Sequence, residues 1–178
     1  MSALHTVRNP ELSNDRWLRA ILNLDRENMM PVFDRLGQPF PEARRTDGLA
    51  RPSATVIALL RQDQLDAYLQ YGRDWQDAAD VYLDSLQVRR SARGTAACGL
   101  VVGEAVSQMH REEFRRLRTH VQSTNPTVVR FLTRLGFEVK NETGRAGTLE
   151  ALADRSILDS RLAERLALYA SGRIHRLD

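Results

Sequence analysis

Asp80-Val-Tyr-Leu-Asp-Ser-Leu-Gln-Val-Arg-Arg-Ser-Ala-Arg-Gly-Thr-Ala-Ala-Cys98 decides the reading of this chain. Val81 to Val88 alternate apolar and polar residues as a strand does, and a short basic loop then leads into small residues that open a helix. Backbone N–H groups in the first turn of a helix have no intrahelical acceptor, and the helix dipole adds partial positive charge there. Such a turn accommodates a diphosphate. Gly94, Ala96 and Ala97 keep side chains out of the way of an approaching anion, while Arg89, Arg90 and Arg93 offer planar donor forks to phosphate oxygens. The plainer alternative is a strand-to-helix turn whose arginines are solvated.

The rest of the chain supplies the context. The short strand His5 to Arg8 is followed by a helix capped by Ser13, with Trp17, Leu18, Ile21 and Leu22 on one face. A second helix covers about Arg26 to Leu36 and stops at Gly37. Pro39, Pro41, Gly48 and Pro52 make Gln38 to Ser53 an irregular connection. Strands follow at Ala54 to Arg61 and Gln64 to Gly72 around a Gln62-Asp63 turn, and a polar turn over Asp74 to Ala79 leads to the strand Val81 to Val88. Together they form an antiparallel meander that feeds a helix from Thr95 to His110. Arg116 to Gln122 alternates as a further strand. Asn125-Pro126 opens a helix that Gly136 closes, with Pro126 at the favoured first position. Phe137 to Asn141 and Thr148 to Ala153 pair as a hairpin around Thr143 to Gly147. A last helix, about Ser156 to Tyr169, carries a stripe of Leu158, Leu162, Leu166 and Tyr169, which covers the sheet or a second copy of the chain.

Length and composition narrow the classes. A chain of 178 residues fits one domain, 1–178, and its 42% hydrophobic and 28% charged content is that of a soluble globular protein. No apolar run is long enough to span a bilayer. The first residues lack the apolar stretch of a secretory signal, so the chain reads as cytoplasmic. A single cysteine excludes an intramolecular disulfide, and the four histidines lack metal-ligand spacing, which makes surface roles their default. No metal is expected. Lys140 is the only lysine, so arginine supplies the other 25 of the 26 basic residues. They are scattered among acidic residues, which argues against a nucleic-acid-binding stripe. Trp17 and Trp75 read as packing residues rather than a substrate cage.

The order strand, basic loop, helix, strand, Asn-led helix, Gly-Phe, strand resembles the GNAT superfamily of acyl-CoA N-acyltransferases. Two motifs carry the resemblance. Val88 is followed by the run Arg93-Gly94-Thr95-Ala96-Ala97-Cys98, where the family writes Gln/Arg-x-x-Gly-x-Gly/Ala. Val121-x-x-x-Asn125 is followed by Gly136-Phe137 at the family's separation. The match covers residues 54–141 and, more loosely, the amino-terminal helices, leaving the carboxyl-terminal hairpin and helix, 142–178. It implies an α/β (α+β) fold with a mixed, mostly antiparallel twisted sheet of six or seven strands, flanked by helices, and an extra carboxyl-terminal helix.

The resemblance also implies a chemistry. Acetyl-CoA would set its pyrophosphate on Arg93, Gly94, Thr95, Ala96, Ala97 and Cys98, and its pantetheine arm along the main chain of Leu86, Gln87 and Val88. Asn125 and Leu132 would complete the cofactor side. A neutral primary amine would then attack the thioester directly in a ternary complex, with a backbone N–H near Val88 stabilising the oxyanion. Asp84, on the strand face of Tyr82, Leu86 and Val88, is the candidate base acting through a water, unless it simply faces solvent. Tyr82 is the candidate acid. The first two helices and the 38–53 connection would set acceptor specificity.

Two positions depart from the family pattern. Ala96 and Cys98 stand where glycine is common, and Leu132 stands where many members place a proton-donating tyrosine. Cys98 is not read as a nucleophile, because no histidine lies near it in sequence to activate it. Leu132 leaves open a catalytically weak acyl-CoA-binding module with a regulatory role, and the arginine excess leaves open a nucleic-acid-binding protein. The motif generates a direct expectation. Acetyl-CoA binds the wild-type chain in calorimetry at micromolar to millimolar concentration, and Arg93→Glu abolishes that binding; unchanged affinity would refute the placement of the phosphates.

Overall fold

The computed structural model describes residues 2–9, 11–141 and 147–156. In chain order these form β1 (Ser2–Arg8), α1 (Asp15–Leu36), α2 (Glu42–Ala50), β2 (Thr55–Arg61), β3 (Gln64–Arg73), β4 (Val81–Val88), α3 (Ala97–His110), β5 (Arg116–Gln122), α4 (Pro126–Arg134), β6 (Glu138–Asn141) and β7 (Thr148–Asp154). Single 3-10 turns sit at Glu11–Ser13 and Arg90–Ala92. The strands make one seven-stranded sheet in the order β1-β2-β3-β4-β5-β7-β6. β1–β2, β2–β3, β5–β7 and β6–β7 pair antiparallel, and β4–β5 pair parallel. This is the mixed, mostly antiparallel α/β architecture expected from the motif order. The leucine stripe of the last expected helix lies outside the described residues.

Two compact units divide the chain: residues up to 72 with 85–105, and 73–84 with those from 106 onward. β4 contributes to both.

In the first unit β2 and β3 are buried along almost their whole length. Val7, Leu12, Ile21, Leu24, Leu49, Val56 and Tyr68 pack into one core, with Trp17 and Leu18 against it. Trp17 is therefore a packing residue, as its place on the helix face suggested. The Gln62-Asp63 turn has φ of 50° and 62°, the left-handed pair that a two-residue hairpin needs.

α1 is one helix of 22 residues, not two. Its cap is Asn14, whose side chain accepts from the Arg16 N–H, rather than Ser13. Gly37, at φ 62°, closes it as expected. The helix runs unbroken through Asp25. Asp25 is in fact buried, accepting from Arg45 Nε at 2.9 Å and from the Tyr68 hydroxyl. Pro31 lies inside the helix and removes one N–H from it.

The irregular connection expected over 38–53 contains α2. No side chain caps this helix, and tertiary bonds hold it instead. Arg45 Nη2 donates to the Tyr68 hydroxyl at 3.1 Å and to Gln70 Oε1 at 3.0 Å, while Gln70 Nε2 donates to the Gly48 carbonyl at 3.2 Å. Burial, and then the neighbouring Asp25 charge, push the Tyr68 hydroxyl well above the usual phenol range, so Tyr68 stays a neutral donor.

In the second unit the first residues of β4 meet β5 at Val81↔Leu117 and Tyr82↔Arg118. The turn before β4 is organised by its aspartates. Asp74 Oδ1 accepts from the Gln76 N–H at 2.8 Å, and Asp77 Oδ1 from the Ala79 N–H at 2.9 Å. Asp80, whose side chain has 0% exposure, accepts from Arg115 Nε at 3.1 Å and Arg116 Nη2 at 2.8 Å. The Arg115 N–H donates to the Ala79 carbonyl at 2.8 Å. These bonds fasten the start of β5 beside the start of β4. α4 begins as the Asn125-Pro126 pair suggested, with the Asn125 carboxamide accepting from the Val128 N–H at 3.3 Å. Leu132, Leu135 and Phe137 are buried beside it.

Burial raises the Asp80 carboxyl, but hydrogen bonds from Arg116 and Arg115 more than offset this and hold it below its ordinary value. A carboxyl depressed on folding contributes stability above its unfolded value and loses it as pH falls through the folded one. Unfolding free energy, measured by denaturant titration, is therefore expected to decline as pH drops below about 4, with a shallower decline in Asp80→Asn.

Candidate active site

The loop after β4 is built by its own residues and by α1. The Arg89 N–H donates to the Asp66 carbonyl at 2.7 Å, which ends the strand. The Arg89 side chain turns inward, with Nη1 2.7 Å from Glu27 and Nε 3.0 Å from the Leu65 carbonyl. It is committed to the fold rather than to an anion. Arg90 and Arg93 are exposed. Arg93 Nη2 donates to Asn28 Oδ1 at 2.7 Å, and its Nε reaches the Val88 carbonyl at 3.3 Å. Asn28 Nδ2 in turn donates to Gln87 Oε1 at 3.0 Å and to the Val88 carbonyl at 3.2 Å. Asn28 is thus a brace for the end of β4 that the sequence alone did not single out, since a lone asparagine within a helix carries no motif.

Gly94 takes φ 74°, and nothing stands within 4 Å of where a Cβ would be, so the glycine serves the backbone turn rather than close packing. The Thr95 hydroxyl donates to the Ala92 carbonyl at 2.6 Å and accepts from the Ala97 N–H at 3.3 Å. α3 consequently starts at Ala97, two residues later than expected, and its first helical bond runs from the Leu100 N–H to the Ala96 carbonyl at 2.9 Å. Ala97 is buried, while Ala96 and Cys98 are half-buried. The Arg93 and Thr95 N–H groups donate to the Arg90 and Ala92 carbonyls, each at 3.3 Å, so the turn is self-bonded, and a left-handed glycine with small residues shapes the approach to the first turn of α3.

Leu86, Gln87 and Val88 form the end of β4, all half-buried. Ser85 Oγ lies 3.2 Å from the Tyr68 hydroxyl and 3.3 Å from Gln87 Nε2. In the second unit, the Asn125 side chain caps α4 and Leu132 is 6% exposed in the helix's buried face. Each has a structural task at its motif position. Among the described residues no three His, Cys, Asp or Glu side chains gather as a metal site.

Tyr82 stands in an aromatic group. Its hydroxyl lies 3.0 Å from His120 Nδ1 on β5. The Trp75 ring meets Tyr82 edge-on at 4.4 Å and stacks with His120 at 6.5 Å. Trp75 is 56% exposed and packs through these ring contacts at the surface rather than in the core. His120 is more than a surface histidine. The signal was partly present: Arg118 and His120 alternate with Leu117 and Thr119 along β5, which marks one face of that strand as polar. Asp84 is half-buried two residues along β4 from Tyr82.

No curated protein matches the sequence. Solved structures share the fold at low identity. An acyl-CoA N-acyltransferase from Pseudomonas aeruginosa is 18% identical with a TM-score of 0.68, the match covering 85% of this chain and 99% of that one. The ribosomal-protein-S18-alanine N-acetyltransferase of Escherichia coli is 10% identical with a TM-score of 0.66, covering 86% and 94%. The PaiA N-acetyltransferase of Thermoplasma acidophilum, solved in complex with coenzyme A, is 12% identical with a TM-score of 0.65, covering 86% and 99%. The profile of the Acetyltransferase (GNAT) family matches residues 18–137, from the middle of the first turns of α1 to the Gly136-Phe137 pair, and the chain belongs to that family.

Proposed function

We propose that the protein is an N-acetyltransferase that moves an acetyl group from acetyl-CoA to a primary amine by direct attack in a ternary complex. The observation that carries this reading is the turn from Val88 to Cys98. Gly94 turns the chain, Thr95 caps α3, and small residues line its first turn, so the amides there suit a pyrophosphate. Arg93 adds a guanidinium at the rim, held by Asn28. Family membership and the coenzyme A complex of the Thermoplasma neighbour support the same donor.

On this reading, main-chain groups of Leu86 to Val88 take the pantetheine arm and a backbone N–H near Val88 faces the developing oxyanion. Alignment of the two reactants supplies much of the rate, since positioning is worth about 7–11 kcal/mol in favourable cases. Tyr82 is the proton-handling group on the acceptor side, with Asp84 two residues along the same strand. Leu132 cannot donate a proton to the leaving thiolate, and its burial in the face of α4 makes it a packing residue. That absence favours one alternative, an acyl-CoA-binding module without turnover.

A thiol-release screen separates the two readings. Acetyl-, propionyl- and longer acyl-CoA donors are offered with alkylamines, aminoglycosides, lysine peptides and alanine-initiated peptides. The last are included because of the named activity of the Escherichia coli neighbour. Amine-dependent release of free thiol is expected; donor binding without release from any amine would favour the module.

A further inference from the structure

We propose that His120, acting through the Tyr82 hydroxyl, accepts the proton that the incoming amine must lose. The proposal rests on the acetyl-transfer reading above and names a route that the strand carboxylate Asp84 does not provide. The parallel ladder between β4 and β5 ends at Tyr82↔Arg118. Beyond it, the next contact is a side-chain bond, from Thr119 Oγ1 to the Leu83 carbonyl at 2.8 Å. His120 follows on β5, two residues past Arg118 and therefore on the same face. Its Nδ1 lies 3.0 Å from the Tyr82 hydroxyl, a hydrogen-bond distance. Trp75 holds both rings from one side and is itself 56% exposed, so the group borders solvent where an acceptor can arrive.

Charged residues on β4, β5, β6 and β7 surround this part of the sheet. Glu150 is its cross-strand partner on β7, and Asp84 stands on β4 beyond Tyr82. The nearest cation on β5, Arg118, faces Asp74 at 3.2 Å and Glu150 at 3.5 Å, and also donates to Gln76. Lys140, opposite Glu150 on β6, is paired with Glu138 at 2.8 Å. A phenol alone is a poor base at neutral pH, but a phenol that passes its proton to an imidazole needs to carry no charge. The ammonium N–H breaks as an O–H forms on Tyr82, while the original Tyr82 O–H breaks as an N–H forms at Nδ1. The neutral amine attacks the thioester. The attacking nitrogen then gives up a second proton, which leaves on the thiol of CoA, and the imidazolium returns its proton to water.

The test compares wild type, His120→Gln, Tyr82→Phe and Asp84→Asn in kcat/KM against pH. The donor is acetyl-CoA, and the acceptor is the fastest among n-butylamine, β-phenylethylamine, kanamycin and an alanine-initiated peptide. Wild type is expected to show an acid limb. His120→Gln and Tyr82→Phe lose that limb and fall about 10²-fold at neutral pH with KM for acetyl-CoA unchanged, while Asp84→Asn keeps the limb. Tyr82→Phe removes one oxygen and preserves the ring, which guards against a folding artefact. Imidazole 15N shifts of the uncomplexed wild type should place the neutral ring's proton on Nε2. A limb retained by both ring variants, a limb lost only in Asp84→Asn, or a proton on Nδ1 would overturn the proposal while leaving acetyl transfer standing. No thiol release by wild type would overturn both.

Discussion

Asp80 has no solvent-exposed side-chain surface, yet it carries a charge, and the arrangement of β4 and β5 follows from how that charge is satisfied. Two consecutive arginines at the start of β5 supply the donors, and they can do so only if the strands begin side by side. Because both arginines keep contact with solvent, each pair adds little net stability. Removing one arginine leaves Asp80 with the other, whereas removing both strands a buried carboxylate. The clamp therefore acts as a specification of register. It fixes Val81 against Leu117 and Tyr82 against Arg118, which in turn brings the Tyr82 hydroxyl to the His120 ring.

The first unit uses the same device with different groups. Asp25, Arg45, Tyr68 and Gln70 form a network that ties α1 and α2 to β3. Each polar group finds a partner inside, which is the condition under which burial is tolerated. Nearby, Glu27 and Asn28 on α1 hold Arg89, Arg93 and the Val88 carbonyl. The end of β4 is thus positioned by one turn of α1, and the amides at the start of α3 inherit that position through Gly94 and Thr95.

Local chemistry in the sequence specifies some elements of this fold and leaves others to tertiary contacts. β4 and β5 were legible to the residue, because apolar-polar alternation and turn residues at both ends agree. The Asn125-Pro126 cap and the left-handed Gly37 and Gly136 were legible because few other residues suit those conformations. The continuity of α1 through Asp25 was not legible, because this buried carboxylate finds its partners Arg45 and Tyr68 on other elements. α2 was missed for a related reason: Arg45 and Leu49 hold it through contacts with other elements, while Pro39, Pro41 and Pro52 flank it, Gly48 lies within it and no side chain caps it. At the site, the glycine-bearing loop was visible as local chemistry. The Tyr82–His120–Trp75 group was not, because its members are separated by 38 residues between Tyr82 and His120 and meet only across the sheet.

We propose that main-chain amides just beyond β4 receive the pyrophosphate of CoA. Backbone 1H–15N shifts recorded during a CoA titration test it directly. The account predicts that the largest changes fall on Gly94 through Cys98, with smaller ones at Val88 and on α1 at Asn28. Saturation with CoA that leaves those amides unmoved, or that moves a different part of the chain instead, would contradict it.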